Sequence, residues 1–230
     1  MIGIIAAMQL EMDSLAAKIE NSKTETISGV NYITGTIYGY PVVAAVAGIG
    51  KVNAAVCAQT MILKYAPEAI INTGVGGALD KTLRVTDVVV GEYAVQHDVD
   101  TSALGDEKGF VSTVNLIRFP LSDDLSNRLL ASLSMLGIRA CKGGVATGDQ
   151  FVAENHIKEE IVSRFGASVC EMEGAAIAHA CYLNNTPCAI LRAISDGADD
   201  GATMSYQEFA SVAAEQSVRA LLTFIKTNLA

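Results

Sequence analysis

No block of lysine or arginine interrupts this sequence, and no apolar stretch approaches the ~18 residues needed to span a bilayer. Sixteen basic residues face 25 acidic ones, for a formal charge of −9. A nucleic-acid binder needs a basic stripe to displace counterions, so neither extended DNA or RNA nor a membrane is the expected partner. A small neutral or cationic ligand suits this surface better. There is no C-x-x-C pair either. The cysteines Cys57, Cys141, Cys170, Cys181 and Cys188 are scattered, four of them in apolar or Ala-rich stretches where a thiol acts as a small hydrophobe. An odd count without a spacing pattern points to a reducing compartment. The opening MIGIIAAMQLE has no basic n-region and turns acidic too soon for a signal peptide, so a cytosolic protein is expected.

Several catalytic signatures are missing as well. The first apolar run lacks the G-x-G-x-x-G of a dinucleotide fold, because Gly3 is followed by Ile4, Ile5, Ala6 and Ala7. Gly48-Ile49-Gly50-Lys51 has the look of a phosphate loop, but position 45 is Ala and position 52 is Val. No G-x-S-x-G elbow and no H-E-x-x-H occur. The histidines His97, His156 and His179 are far apart. His97 with Asp98 and Asp100 could ligate a metal, although a solvated or interface loop fits these residues better. No metal and no cofactor is expected.

What is present is an alternation of short β-branched runs with Ala-rich helical stretches, the pattern of an α/β protein. Strands are expected at Ile2–Ala7, Ala69–Thr73, Val85–Val95, Gly143–Thr147, Ser168–Glu171 and Cys188–Ile194. A hairpin, Tyr32–Tyr38 with Val42–Val46, turns at Gly39-Tyr40-Pro41. Helices are expected at Glu11–Ile19, Val52–Lys64, Asp123–Leu136, Asn155–Phe165, Gly174–Leu183 and Ser205–Asn228. A glycine-rich turn, Gly74–Gly77, should follow the Ala69 strand. His97–Pro120 reads as an irregular insertion and Gly197–Thr203 as a polar loop. The 230 residues show no repeat and no linker, so one domain over 1–230 is expected. Continuously apolar strands such as Cys188–Leu191 fit a sheet covered on both faces, and the hairpin makes that sheet mixed. The expected architecture is a single-domain α/β/α sandwich around a central, mixed, twisted β-sheet.

In open α/β sheets the ligand sits outside the carboxyl ends of the strands, so polar residues there are the candidates. Glu11 lies in the first turn after strand one, where a carboxylate also serves the helix macrodipole. The glycines after Asn72-Thr73 permit close backbone approach, as they would in any tight turn. Glu171-Met172-Glu173 stands where a strand passes into an Ala-rich helix. A helix-start carboxylate is one account of Glu173; acceptance of two hydrogen bonds from vicinal sugar hydroxyls is the other. Arg192 sits within the Cys188 strand, roughly 13 Å along it from Asp196, too far for a simple ion pair. The strand terminates in Ser195-Asp196-Gly197, and no strongly periodic helix begins at Asp196 to make it an N-cap.

In chain order, MQLE, NTG with its glycines, TGDQF, CEMEGAAIAH and LRAISDGAD closely resemble the 5′-methylthioadenosine/S-adenosylhomocysteine nucleosidases of the purine nucleoside phosphorylase/nucleosidase superfamily. The resemblance spans essentially the whole chain. It implies that Glu11 activates the attacking water and that Asp196, held with Ser195, protonates purine N7. It further implies that Glu173 binds ribose hydroxyls, with Met172 packed on the sugar. Phe151 would stack on adenine and the backbone of Val152 would read the purine edge. Met8, Ile49 and Tyr206 would line the sugar and 5′ pocket, and Gly77 would offer a backbone contact. The resemblance also implies a homodimer whose partner insertion, His97–Pro120, closes the 5′ end. One departure is Val75, where many members carry Ser in the glycine turn.

The chemistery implied is hydrolysis of an N-glycosidic bond in adenine nucleosides. Two carboxylates held in opposite protonation states suit it: one donates to the leaving base, the other accepts from water. Rival readings are a phosphorylase on the same fold, a nucleosidase for futalosine-type substrates or AMP, and a non-catalytic adenosine-binding protein. Phosphate recognition wants arginine or several donors, and no basic residue occurs from Met1 to Ala17.

Overall fold

The computed structural model describes residues 1–197 and 202–228, and for 202–208 and 228 the backbone alone. The chain opens with strand β1 (Ile2–Ala6), helix α1 (Gln9–Ala16) and three antiparallel strands, β2 (Glu20–Ile27), β3 (Val30–Ile37) and β4 (Tyr40–Val46). Helix α2 (Lys51–Tyr65) leads to β5 (Ala69–Ala78) and β6 (Val88–Gln96). The short β7 (Arg118–Pro120), α3 (Asp123–Met135) and β8 (Ala140–Thr147) follow. Helix α4 (Asn155–Phe165), β9 (Ala167–Glu171), α5 (Gly174–Leu183), β10 (Cys188–Asp196) and α6 (Ala202–Asn228) complete the order.

The expected mixed sheet is observed. Strand β1 lies between β4 and β5, parallel to both, and β5 is also parallel to β10. Beyond β10 the pairing turns antiparallel at β6, which continues parallel to β8 and on to β9. Strand β9 returns to β5 through Gly77 and Ala78. These pairings close a ring of five strands, with β1, β4, β3 and β2 as an open wing.

Period-two alternation sends successive side chains to opposite faces. Ile4 packs with Met12, Leu129, Leu133 and Phe224, beneath α1, α3 and α6. Its neighbour Ile5 packs with Cys57, Met61 and Ile177, beneath α2 and α5. Strand β10 is buried along its whole length, as a run apolar on both faces requires. The α/β/α layering follows. Helix α4 caps a smaller cluster of Val95, Val152, Ile161 and Phe165. Among the described residues, no helix is long and apolar enough to cross a membrane.

Two expectations need correction, and one strand has no counterpart among those expected. Gly74–Gly77 is not a turn: β5 runs through it to Ala78, because β10 pairs alongside up to Gly77 and β9 pairs at its end. Hydrogen bonding from both sides outweighs the weak strand preference of glycine. The hairpin turns one residue earlier than expected, at Tyr38-Gly39, where both residues adopt positive φ (51° and 78°) as a type I′ turn demands. Strand β2 was not foreseen. It is an exposed, charged edge strand with no apolar face to betray it, and such charge discourages edge-to-edge pairing. Within 97–120 a short 3₁₀ turn, an isolated bridge between Val111 and Leu116, and β7 interrupt the irregular path. Of the expected loop Gly197–Thr203, residues 198–201 lie outside the described residues, and α6 begins at Ala202.

Candidate active site

A cavity of about 380 Å³ opens at the carboxyl ends of β1, β5, β9 and β10. That size suits a small-molecule site. Every residue to which the resemblance gives a site role lines it except Tyr206, whose side chain lies outside the described residues.

Glu11 stands in the first turn of α1 and is 3% exposed. Its Oε2 accepts hydrogen bonds from the Ala7 and Met8 amides, each at 2.9 Å, and Oε1 accepts from Val75 N at 3.0 Å. The carboxylate therefore satisfies its own helix start and also ties α1 to β5. Burial pushes its pKa up, against the Arg192 charge and the three amides that favour the ionised form.

Asp196 ends β10 at an irregularity: Ile194 faces Gly76 and Asp196 faces Gly77, so Ser195 is an extra residue on its strand. A bulge of this kind re-aims side chains. The Ser195 hydroxyl donates to Asp196 Oδ1 at 2.7 Å, and Oδ2 lies over Gly77. Burial raises the Asp196 pKa, opposed by the Ser195 hydrogen bond and by the charge of Lys158.

Gly74 lies under Glu11 and Gly77 under Asp196. The two carboxyls thus reach one strand three residues apart, roughly 10 Å at ~3.3 Å per residue. Glycine at these places removes the side chains that would hold the acids away.

Glu173 is the N-cap residue of α5, yet its side chain makes no capping bond. Its Oε1 accepts from Gly50 N at 2.8 Å. Burial, then the neighbouring Glu171 charge, raise its pKa to about 7, while Arg192 and the Gly50 amide pull the other way. Met172 is half-buried beside it. At the mouth, Ile49 and Phe151 are 53% and 49% exposed, whereas Val152 is buried. Lys51 pairs with Asp98 at 2.7 Å, and the Asp149 amide donates to the other Asp98 oxygen at 2.9 Å, which fastens the two mouth loops together. Asp98 is thereby engaged. Asp100 instead accepts from the Ser102 amide, and no group of three His, Cys, Asp or Glu suited to a metal occurs among the described residues.

Sequence reasoning missed what lies under the cavity. Arg192 is fully buried and donates to Glu171 and to Asn72. A charged residue within an otherwise apolar buried strand demands a counter-charge, and that demand pointed to an unassigned carboxylate. Gln150 and Cys170, which also line the cavity, carried no such signal.

The phosphorylase superfamily model matches residues 1–226. The 5′-methylthioadenosine/S-adenosylhomocysteine nucleosidase of Shewanella putrefaciens is 35% identical over 211 residues, 90% of each chain. The solved nucleosidase of Neisseria meningitidis, in complex with methylthio-immucillin-A, superposes with a TM-score of 0.94 at 36% identity, covering 98% of both chains. Futalosine hydrolase of Helicobacter pylori gives a TM-score of 0.94 at 33% identity, covering 98% of this chain and 97% of its own. The chain therefore belongs to the phosphorylase superfamily and, within it, to the 5′-methylthioadenosine/S-adenosylhomocysteine nucleosidases, a family of hydrolases.

Proposed function

We propose that this protein, as one domain over 1–230, hydrolyses the N-glycosidic bond of 5′-methylthioadenosine and S-adenosylhomocysteine, and of 5′-deoxyadenosine, releasing adenine and the 5-substituted ribose. The observation that carries the reading is the placing of Glu11 and Asp196 around one cavity, three residues apart along β5.

Breaking the bond leaves positive charge on the sugar and negative charge on the base. Asp196 donates a proton to purine N7, so that adenine leaves neutral; such a general acid contributes ~10²–10⁴-fold. Ser195 occupies Oδ1, which directs the acidic proton to Oδ2 on the cavity side. The raised pKa of Asp196 suits a donor at neutral pH. Glu11 stays ionised with the help of its three amides and takes the proton of the attacking water. Glu173 accepts the ribose hydroxyls, with Met172 against the sugar. Phe151 stacks on adenine and the Val152 backbone reads its edge. Gly77 offers its backbone, and Met8, Ile49 and Tyr206 line the sugar and the 5′ thioether. The exposed Ile49 and Phe151 are covered in a cytosolic homodimer by the partner's 97–120 segment.

Water is favoured over phosphate as nucleophile. Among the described residues lining the cavity none is Lys or Arg, and the Glu11 carboxylate repels a phosphate dianion. Product analysis with 5′-methylthioadenosine, with and without phosphate, is the test. Free methylthioribose at a phosphate-independent rate is expected; a sugar 1-phosphate overturns the reading. Futalosine is a second candidate substrate, favoured by the equal TM-score of the Helicobacter pylori hydrolase. The ratio of kcat/KM for the two substrates decides between them.

A further inference from the structure

The start of helix α5 leaves several amides to be satisfied, and the usual provider is the N-cap side chain. Here that side chain, Glu173, is turned away into the cavity. The work is done by two other groups. Glu171 Oε2 accepts from Glu173 N at 3.1 Å and from Gly174 N at 2.7 Å. Thr147 Oγ1 accepts from Ala175 N at 2.8 Å and gives its own proton to Glu171 Oε1. Arg192 also donates to Glu171 Oε2. The Glu171 side chain is 2% exposed, and these donors occupy nearly all its acceptor capacity. Glu171 therefore has little left to offer a ligand, although it lies at the cavity wall.

We infer that Glu171 is a positioning residue: with Thr147 it replaces Glu173 as the cap of α5 and balances the buried Arg192, and so leaves the Glu173 carboxylate, held at Oε1 by the Gly50 amide, turned into the cavity toward the sugar hydroxyls. The inference rests on the proposed ribose-binding role of Glu173. Gly174 fits the arrangement, since a Cβ there would lie 3.1 Å from Glu171 Oε2 and 2.9 Å from Ile190 Cδ1. The charged groups that face Glu173 are Glu171 from β9, Arg192 from β10 and Glu11 from α1. Neutralising Glu171 removes a repulsive neighbour and leaves Arg192 uncompensated. Both changes favour the ionised form of Glu173.

The test compares 5′-methylthioadenosine with adenine as ligands, in an Asp196→Asn background that keeps the nucleoside intact. Glu173→Gln should weaken nucleoside binding and spare adenine. Glu171→Gln should raise the nucleoside Kd about tenfold, leave adenine within about twofold, and move the midpoint of the pH dependence of nucleoside binding to lower pH. A merely structural residue would weaken both ligands alike and leave that midpoint unmoved; this result overturns the inference, as does an unchanged nucleoside Kd in Glu171→Gln. If Glu173→Gln itself does not distinguish the two ligands, the reading beneath the inference falls with it. Should Glu171→Gln not fold, Thr147→Val is expected to reproduce the selective loss and Thr147→Ser to restore it. Equal loss of both ligands in Thr147→Val, or no rescue by Thr147→Ser, overturns the inference.

Discussion

Gly77 and Asp196 meet so closely that no side chain fits between them: a Cβ on Gly77 would stand 2.7 Å from Asp196 Oδ2 and 3.3 Å from Cys170 Sγ. The backbone at Gly77 has no unusual φ, so the requirement is for space alone. Gly77→Ala should push the Asp196 carboxyl off the strand. Overpacking of this kind costs about 1–3 kcal/mol, and the expected loss of turnover exceeds the loss of Tm. Adenine release and thermal unfolding measured on one preparation check this. Unchanged kcat in the Ala variant would show that the Asp196 oxygen has no fixed place over the strand.

Asp196→Asn removes the acidic proton while keeping the shape and the Ser195 contact. Turnover should fall ~10²–10⁴-fold with nucleoside binding largely retained. In the proposed mechanism Asp196 works only when protonated, and burial raises its pKa, so the rate should fall as pH rises through that value. The role proposed for Glu11 needs its ionised form, so the rate should also fall as pH drops through the raised Glu11 value. A pH profile of kcat/KM is expected to be bell-shaped, and Asp196→Asn should lack the alkaline limb.

Glu173 has a pKa of about 7 against an ordinary 4.5. Because the folded value lies above the unfolded one, its contribution to stability is complete below about pH 4.5. That contribution is lost as pH climbs through 7, by an amount on the order of 3 kcal/mol. Glu173→Gln should therefore be more stable than the parent at pH 8 and close to it at pH 4.5. Denaturant midpoints at the two pH values test the sign; a difference independent of pH would contradict it.

Phe151 is half-exposed at the mouth of the cavity. Phe151→Ala should weaken adenine binding by about 1–3 kcal/mol, the usual worth of base–aromatic stacking. Calorimetry with adenine reads it directly. Retained affinity would remove Phe151 from the base subsite.

The α/β order was legible because its signals are local. The bounds expected for Asn155–Phe165 and Gly174–Leu183 are those observed, and the apolar run at Cys188 announces a strand covered on both faces. Glu11, Glu173 and Asp196 were legible as acids at strand ends. The glycines of β5 were not legible as a strand, because what holds them extended comes from β9 and β10, distant in sequence. Strand β2 was hidden for a different reason: an edge exposed along nearly its whole length has no apolar period to read. The capping of α5 by Glu171 and Thr147 depends on β8 lying beside β9, a neighbourhood that neither segment encodes alone.

The bonds that shape the cavity join residues 64 apart (Glu11 and Val75) and 123 apart (Gly50 and Glu173). Closures of that length are among the slow, late events of folding, since their chain-entropy cost comes before any contact rewards it. A nascent or partly folded chain therefore has no nucleoside site with which to recruit its ligand. Added nucleoside should retard unfolding of the finished protein while leaving the refolding rate almost unaltered, because the ligand recognises only what the completed sheet brings together.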